Sequence, residues 1–403
     1  MTEDIRQVVI VGAGPVGLTS ALALARQDIP VTVLEAEPGL THDLRAASYH
    51  PPTLEMLAAL GIGKTMHEKG YIVQRWQYRD RKEGLIVEWD LGVLGNDTEY
   101  PWRLHLEQHQ LTRILLAALE QYSHARVLFS HRVSAIEQSA SQATARCQTA
   151  DGEVMVSGQW LIGADGGSGV VRKALDTEFE GFTWPERNVN ISTSYDIGQH
   201  GYTFNCYIAD PEEWAGLFKV PHLGPPGLWR IGFPVPDEES DEHALSDEGT
   251  QARLTRLLPW EREYPVAYRS IYRVHQRVAR DWRRERVILA GDAAHLNNPV
   301  GAMGLNGGVH DAVNLADKLG RVWRGAADTS VLDLYVRQRR TANIEFIQAG
   351  SIRNKRTLEE RDPALRAQRH DEMRALADDP VRTRAFLLGT SMIESVRRAA
   401  TVT

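Results

Sequence analysis

A glycine-rich turn between two short apolar segments constrains the fold of this chain more than any other feature. Residues 8–11 and 31–35 are rich in β-branched side chains, which favour strands, and leucine and alanine recur at helical spacing between them. In the turn, Gly12 permits a tight bend, Gly14 lets a phosphate approach the backbone, and Gly17 lets the helix pack on the strand. The sequence therefore predicts a βαβ unit of a Rossmann-like α/β domain.

An acidic residue completes the motif. Glu35 follows Gly14 by roughly 20 residues, where a carboxylate can accept hydrogen bonds from both hydroxyls of an adenosine ribose. The N-terminus of the intervening helix would face the pyrophosphate. A turn without a ligand is the weaker alternative, because strand, turn, helix and acid all occur in order. The motif alone does not separate FAD from NAD, since both contain adenosine diphosphate.

Composition excludes several classes of function. The 403 residues are 42% hydrophobic and 25% charged with a net charge of −7, which argues against a disordered chain and against nucleic acid as a partner. The first residues are acidic rather than basic, and no apolar stretch approaches the roughly 20 residues of a membrane span. With only Cys147 and Cys206, we expect neither a disulfide framework nor a metal cluster, and a cytoplasmic location.

Several strand patterns follow the opening unit. Residues 71–99 alternate aromatic, charged and aliphatic types, and short strands recur from 126 to 162 as in an antiparallel meander. Aromatic-rich runs between 190 and 273 predict a second sheet, which we expect to hold the substrate. After Gly304 the chain is predicted to be helical, with breaks or starts at Pro363 and Pro380. The arginine-rich tail fits a packed helical cap better than a membrane-surface helix.

Two later segments distinguish FAD from NAD. The first, at 160–172, contains Gly163-Ala164-Asp165-Gly166; the second, at 286–308, contains Gly291-Asp292-Ala293-Ala294-His295 and then Pro299 and a glycine-rich run. Together with the opening motif they resemble the three signatures of the single-component FAD-dependent aromatic hydroxylases, the p-hydroxybenzoate hydroxylase-like family. The resemblance extends from residue 8 to about residue 319.

This resemblance implies a Rossmann-like FAD-binding domain, an inserted mixed β-sheet substrate domain and a C-terminal helical region. We predict that the FAD-binding domain comprises 1–70, 100–182 and 274–325, that the substrate domain comprises 71–99 and 183–273, and that the helical region comprises 326–403. We also expect a homodimer.

The resemblance also assigns residues to the cofactor. Asp292 would bind the ribityl chain, and Asp165 would lie near the pyrophosphate and orient backbone N–H groups or Arg172. Arg45 and Gln108 match positions that contact the phosphates or the ribityl chain, although His50-Pro51-Pro52 replaces a second arginine found in many relatives. His295 is expected to be hydrogen-bonded scaffold rather than an acid or base. The full set predicted to bind FAD is Gly12, Gly14, Pro15, Val16, Gly17, Glu35, Ala36, Arg45, Gln108, Asp165, Gly166, Gly291, Asp292, Gly301, Gly304, Leu305 and Asn306.

The implied chemistry is hydroxylation by O2 through a flavin C4a-hydroperoxide, with NADH or NADPH as reductant. Gly304, Leu305 and Asn306 begin the long helix, so their N–H groups can stabilise the anionic reduced flavin at N1. Pro299 matches a proline beside the substrate, where its carbonyl would shape the pocket floor. These four residues are the predicted catalytic positions.

No motif identifies the substrate-binding side chains. The candidates are Tyr202, Tyr207, Arg230 and Pro299, and a guanidinium such as that of Arg230 would bind a carboxylate bidentately. The sequence thus predicts a monooxygenase that hydroxylates a small aromatic, heteroaromatic or phenolic substrate. Two alternatives stay open: a flavoprotein of the same fold acting on a non-aromatic substrate, as an epoxidase, antibiotic-modifying hydroxylase or reductase, and a flavin-binding protein without turnover.

Overall fold

The computed structural model describes residues 5–42 and 46–403. Its strands are β1 (Val8–Val11), β2 (Val31–Leu34), β3 (Ser48–Tyr49), β4 (Tyr71–Val73), β5 (Arg75–Asp80), β6 (Gly84–Asp90), β7 (Arg103–His105), β8 (Ala125–Leu128), β9 (Arg132–Gln138), β10 (Ala143–Thr149), β11 (Gly152–Gly158), β12 (Trp160–Gly163), β13 (Phe179–Thr193), β14 (Asn205–Ala209), β15 (Ala215–Val220), β16 (Leu228–Val235), β17 (Val266–Ala279), β18 (Arg283–Arg284), β19 (Val287–Leu289) and β20 (His295–Leu296). Its α-helices are α1 (Pro15–Ala25), α2 (Pro51–Ala59), α3 (Gly63–Lys69), α4 (Gln108–Leu119), α5 (Val170–Ala174), α6 (Asp241–Leu245), α7 (Asp247–Leu257), α8 (Met303–Trp323), α9 (Val331–Ala342), α10 (Ala349–Leu358), α11 (Pro363–Ala377), α12 (Pro380–Thr390) and α13 (Ile393–Ala400).

The first sheet has the order β18-β19-β12-β1-β2-β8 and is parallel except for the short edge strand β18. Helix α1 connects β1 to β2 and packs against α4 and α8. The βαβ unit predicted from the glycine motif is therefore confirmed, as is the return of the chain to this sheet at β19. Because all three sequence signatures follow strands of this sheet, they meet at its carboxyl edge.

The second sheet has eight strands in the order β20-β17-β13-β16-β15-β14-β5-β6. Both segments predicted to form the substrate domain, 71–99 and 183–273, contribute strands to this sheet. The two segments meet at β14 and β5, which pair in parallel. Side chains alternate between its two faces. In β13, Val189 and Ile191 pack in a core with Leu254 of α7, while Asn188 and Asn190 face a cavity. The domain boundaries themselves stay a prediction.

Two smaller sheets complete the β structure of the described chain. Strands β9, β10 and β11 form the predicted antiparallel meander, whereas β3, β7 and β4 form a separate three-stranded sheet. The prediction was wrong for residues 126–129: β8 pairs in parallel with β2 at the edge of the first sheet instead of joining the meander. A four-residue strand carries too little pattern to identify its partner.

The C-terminal helices pack on the second sheet. Pro363 and Pro380 stand at the first positions of α11 and α12, as predicted. Leu387 and Ile393 lie in one core cluster with Trp89 of β6, so the tail is a packed helical cap. None of the helices in residues 5–42 and 46–403 combines the length and apolar character that crossing a membrane requires.

Candidate functional site

A cavity of about 1590 Å³ lies between the carboxyl edge of the first sheet and one face of the second. Pockets for a single small ligand usually measure about 300–1,000 Å³, so this one has room for a dinucleotide and a second molecule. All three glycine-rich segments reach it. The predicted cofactor residues that line it are Gly12, Gly14, Pro15, Val16, Glu35, Ala36, Gln108, Asp165, Gly166, Asp292, Gly304 and Leu305.

The opening turn leaves one of its three glycines facing empty space. Gly12 has φ of +103°, and a Cβ there would lie 2.5 Å from the carbonyl oxygen of Ala164. A Cβ at Gly17 would lie 1.9 Å from the carbonyl oxygen of Gly12, so this glycine brings α1 onto the strand. A Cβ at Gly14 would meet nothing within 4 Å. The space over Gly14, at the N-terminus of α1, can therefore admit a phosphate.

Glu35 is held in place by the backbone. Its Oε2 accepts a hydrogen bond of 2.7 Å from the N–H of Ala13, and its Oε1 accepts one of 3.0 Å from the N–H of Glu37. A carboxylate has about four lone-pair sites, so each oxygen can still accept a hydroxyl donor. These two backbone hydrogen bonds fix the orientation of the Glu35 carboxylate.

Asp165 organises the second glycine-rich segment. Its Oδ2 accepts a hydrogen bond of 2.9 Å from the N–H of Val171 in α5, which confirms the prediction that it orients backbone groups. Burial raises the pKa of Asp165, although these backbone hydrogen bonds and Arg172 oppose the increase. Gly166 has φ of +79° and open space at its Cβ position. The aspartate thus shapes the turn, and Gly166 leaves room above it.

The third segment combines a turn with the start of a long helix. Asp292 lies on the cavity wall directly after Gly291, whose φ is +62°. Helix α8 then begins after Ala302, which supplies no side-chain cap, and the first N–H groups of an α-helix have no partner within it. Gly304 and Leu305 line the cavity there. A helix N-terminus of this kind favours negative charge.

Four predicted residues shape the site without lining the cavity. Gly17 and Gly291 set the backbone, while Gly301 is held through its N–H by the hydroxyl of Tyr207 and through its carbonyl by Nε2 of His50. The side chain of Asn306 is fully buried, accepts the N–H of His50 and donates to the carbonyls of Ser48 and Ala302. Their predicted contacts with the cofactor could come only from backbone atoms.

Three further predictions need correction or restriction. Tyr202 is absent from the cavity wall, because it stacks under the guanidinium of Arg79 at 4.2 Å from the ring centroid. Pro299 lines the cavity, but its carbonyl accepts the N–H of Ala302 at 2.9 Å and so closes the turn before α8. Arg45 lies outside the described residues.

His295 is scaffold, as predicted. Its Nε2 lies 2.7 Å from Oδ2 of Asp311, its ring stacks on Trp282, and both His295 and Asp311 are buried. Nε of Arg339 donates to Oδ1 of the same carboxylate at 2.7 Å. Burial by itself would raise the pKa of Asp311, but His295 and Arg339 together hold it below its usual value. No local sequence pattern indicates this network, because its members are 16 and 28 residues apart along the chain.

The second sheet supplies the wall opposite the glycine-rich segments. Tyr207 and Arg230, both predicted, line the cavity and are almost fully buried. Sequence reasoning missed their neighbours on the same face, although the period-two alternation of the strands could have identified them. These additional wall residues are Asn188, Asn190, Trp214, Gly216, Phe218, Gly232, Tyr268, Ser270 and Tyr272.

The charged and phenolic groups of this wall have defined protonation states. Burial raises the pKa of Tyr207, an effect that Arg103 partly offsets, so the phenol is neutral at neutral pH. Burial lowers the pKa of Arg230, but a guanidinium stays charged in proteins. The wall therefore presents a neutral phenol ring and a cation to the cavity. In the described chain, no group of three or more His, Cys, Asp or Glu side chains could hold a metal ion.

These features fit FAD. The open space over Gly14 suits a pyrophosphate, Glu35 suits the adenosine ribose, and Asp292 suits a polyol chain. The N-terminus of α8 suits the pyrimidine edge of a reduced isoalloxazine, which is anionic at N1. The cavity continues from there to the wall of the second sheet, so a second molecule can lie beside the flavin ring.

Comparison with known proteins agrees with this geometry. The FAD binding domain family matches residues 6–349. Para-nitrophenol 4-monooxygenase from Pseudomonas sp. (strain WBC-3) is 36% identical over 99% of this chain and 100% of its own length. The 6-hydroxy-3-succinoylpyridine 3-monooxygenase from Pseudomonas putida (strain DSM 28022 / S16) is 35% identical over 89% of this chain and 90% of its own.

A solved structure extends the likeness to three dimensions. The crystal structure of p-nitrophenol 4-monooxygenase from Pseudomonas putida DLL-E4 superposes with a TM-score of 0.92 at 35% identity, covering 97% of this chain and 98% of that one. The predicted α/β fold, FAD with NADH or NADPH, and monooxygenase activity are thereby confirmed. The chain belongs to the FAD binding domain family and is an FAD-dependent monooxygenase of the aromatic hydroxylase type.

Proposed function

We propose that this monooxygenase hydroxylates a single-ring phenol or hydroxypyridine bound between the N-terminus of α8 and the cavity face of the second sheet. The continuity of one cavity from the Gly14 turn to Arg230 carries this proposal, because it brings the flavin site and an aromatic, partly cationic wall into one space. The names of the similar proteins, which act on a nitrophenol and a hydroxypyridine, support the substrate class.

FAD, when bound, would pass electrons from NADH or NADPH to O2 and supply one oxygen atom to the ring. The chain would hold the cofactor at the turn over Gly14, the carboxylates of Glu35 and Asp292, and the first N–H groups of α8. Pro299 would line the substrate side of the cavity, while its carbonyl closes the turn before α8. Apolar and aromatic side chains, including Trp214 and Phe218, would limit the entry of water.

The wall would also increase the reactivity of the substrate. An electron-rich ring is needed to attack an electrophilic oxygen, and the phenolate that forms when the phenol loses its proton to solvent provides it. The cation of Arg230 favours a nearby anion and would lower the pKa of the bound phenol. Tyr207 cannot act as the base, because burial keeps it protonated and its hydroxyl already contacts Gly301, Arg103 and Asn205.

A substrate panel tests this function. The purified FAD-loaded enzyme is mixed with NADH or NADPH and phenol, 4-nitrophenol, a hydroxypyridine carboxylic acid, an isoprenoid alkene and a polycyclic phenol. We expect rapid cofactor oxidation only with the single-ring compounds, and a product that carries one oxygen atom from isotopically labelled O2. Cofactor oxidation that yields only hydrogen peroxide with every single-ring compound, or oxygen transfer only to the alkene, would overturn the proposal.

The homodimer and the cytoplasmic location also stay predictions. Light scattering during size-exclusion chromatography measures the molar mass of the assembly, and we expect twice the 45.1 kDa of one chain. Fractionation of producing cells tests the location.

A further inference from the structure

Two glycines stand side by side on the cavity face of the second sheet. Gly216 of β15 and Gly232 of β16 are register partners, and both line the cavity. Glycine weakens a strand interior, and its presence there often marks a place where a ligand approaches the backbone. Two of them in register remove two neighbouring side chains and leave a hollow in the wall.

The hollow is bounded across the sheet by Tyr207 and Asn190. Tyr207 is the register partner of Gly216 on β14, and Asn190 is the register partner of Gly232 on β13. Because neighbouring strands are about 4.8 Å apart, these two bounding residues are roughly 14 Å apart at their Cα atoms. The gap between them is therefore two strands wide and has no side chain of its own.

Aromatic rings form one end of the hollow. Tyr207 and Phe218 meet edge to face, with ring centroids 5.8 Å apart and planes at 86°. A Cβ on Gly216 would lie 3.5 Å from Phe218 and 3.8 Å from Tyr207, so the glycine stands in the corner between the two rings. A third ring could extend this cluster with the offset and edge-to-face contacts that aromatic groups prefer.

Polar groups form the other end. A Cβ on Gly232 would lie 3.1 Å from Oδ1 of Asn190, and Arg230 is the register partner of Phe218 in the next row of the same face.

The hydroxyl of Tyr207, at the aromatic end, accepts the N–H of Gly301 at 3.1 Å, which connects the hollow to the turn that leads into α8. The hollow thus joins an aromatic corner to an amide and a cation beside the flavin end of the cavity.

We propose that the Gly216–Gly232 hollow seats the aromatic ring of the substrate, and that the two missing side chains determine which ring substituents the enzyme accepts. The inference rests on the proposed function, which it extends from a substrate class to a specificity-determining pair of residues. The hollow suits a single ring with a small polar or anionic substituent directed towards Asn190 and Arg230. A second fused ring would need the space that Tyr207 and Asn190 occupy.

The substitution Gly216→Ala tests whether the hollow binds the substrate ring, and it does so without damaging the fold. Its added methyl group would make only ordinary contacts of 3.5 Å and longer, and alanine is less costly than glycine in a strand. Gly389→Ala is the matched control, because this glycine lies in α12 outside the cavity and its Cβ would come no closer than 3.5 Å to Glu394. Gly232→Ala is a second variant, for which Asn190 must shift slightly.

Binding of phenol and 4-nitrophenol to the oxidised holoenzyme is measured by perturbation of the flavin absorbance, and turnover is measured in parallel. For Gly216→Ala we expect an unchanged or higher Tm, unchanged FAD affinity, and a Kd for 4-nitrophenol raised at least 10-fold. The penalty should be smaller for unsubstituted phenol. Gly389→Ala should bind both phenols as the wild type does.

The outcomes separate this inference from the proposed function. If the wild type binds phenols without hydroxylating them, and Gly216→Ala binds them weakly, the proposed role of the hollow is supported and the proposed function fails. If the wild type hydroxylates phenols, and Gly216→Ala and Gly232→Ala keep its Kd and KM, the proposed role of the hollow is wrong and the proposed function stands. A wild type that binds no single-ring phenol overturns both.

Discussion

The carboxylate of Asp311 in α8 accepts a hydrogen bond of 3.1 Å from the backbone N–H of Gly291, the residue directly before Asp292. The same Oδ2 lies 2.7 Å from Nε2 of His295, and Oδ1 accepts Nε of Arg339. One fully buried carboxylate therefore fixes the turn that presents Asp292 to the cavity, although it never reaches the cavity itself. Both the affinity for FAD and the free energy of unfolding should therefore depend on Asp311.

Asp311→Asn should destabilise the protein by about 3–5 kcal/mol, because Arg339 would lose its carboxylate partner in the interior. The affinity for FAD should fall with it, since the turn before Asp292 loses its anchor. Chemical unfolding of the apoprotein and FAD titration measure the two effects. The control is Asp333→Asn, which breaks a more exposed pair with Arg283 and should cost less than about 1 kcal/mol. Equal losses for the two variants would contradict the assignment.

A buried histidine makes stability depend on pH. Burial lowers the pKa of His310 to about 3, and its Nε2 lies 2.9 Å from the hydroxyl of Thr53. As the pH falls from about 6.5 towards 3, the unfolded chain binds a proton at this residue and the folded chain does not, so stability decreases. His310→Gln should reduce the total loss of unfolding free energy over this pH range by several kcal/mol, at about 1.4 kcal/mol per pKa unit. Urea unfolding across this pH range measures it, with the exposed His200→Gln as control; an unchanged slope in His310→Gln would refute the prediction.

Local sequence patterns predicted the part of the site that local backbone geometry determines. The glycine turn at Gly12–Gly17, the acid at Glu35 and the first turn of α8 around Gly304 each depend on residues close together along the chain. The structure has all three at one edge of one sheet. Strands β1, β2, β12 and β19 are short and fully buried, so they appear as continuous apolar runs.

The opposite wall of the cavity could not be predicted in the same way. Residues such as Gly216 and Gly232 acquire meaning only through the register between β15 and β16, which no short segment encodes. Tyr202 looked as suitable for the pocket as Tyr207, yet Tyr202 lies before β14 with its ring against Arg79, whereas Tyr207 lies within β14 and lines the cavity. Asn306 was predicted from its place at the start of a helix, but tertiary packing turns its side chain to His50.

The second and third glycines of the opening motif should respond differently to the same change. Gly14→Ala should leave the Tm of the apoprotein unchanged, because its Cβ meets nothing, and should weaken FAD binding at least 10-fold, because the methyl group would occupy the space for the pyrophosphate. Gly17→Ala should lower the Tm itself, since its Cβ would collide with the carbonyl of Gly12. Calorimetry of the apoproteins and FAD titration distinguish them. Normal FAD affinity in a folded Gly14→Ala would place the pyrophosphate elsewhere.

Arg230→Met should separate charge from shape in the cavity wall. Methionine keeps an unbranched apolar side chain in the cavity wall but removes the cation. A hydrogen bond from a charged group to the substrate contributes about 1.5–3 kcal/mol. Its loss should therefore raise the KM for a phenol roughly 10- to 100-fold. The apparent pKa of bound 4-nitrophenol, read from its phenolate absorbance, should rise as well, because the cation no longer favours the anion. Arg230→Lys should retain part of both effects, since it restores the charge without the planar fork. If bound 4-nitrophenol ionises at the same pH in all three proteins, Arg230 does not stabilise the phenolate, and the negative charge of the substrate must lie against another part of the wall.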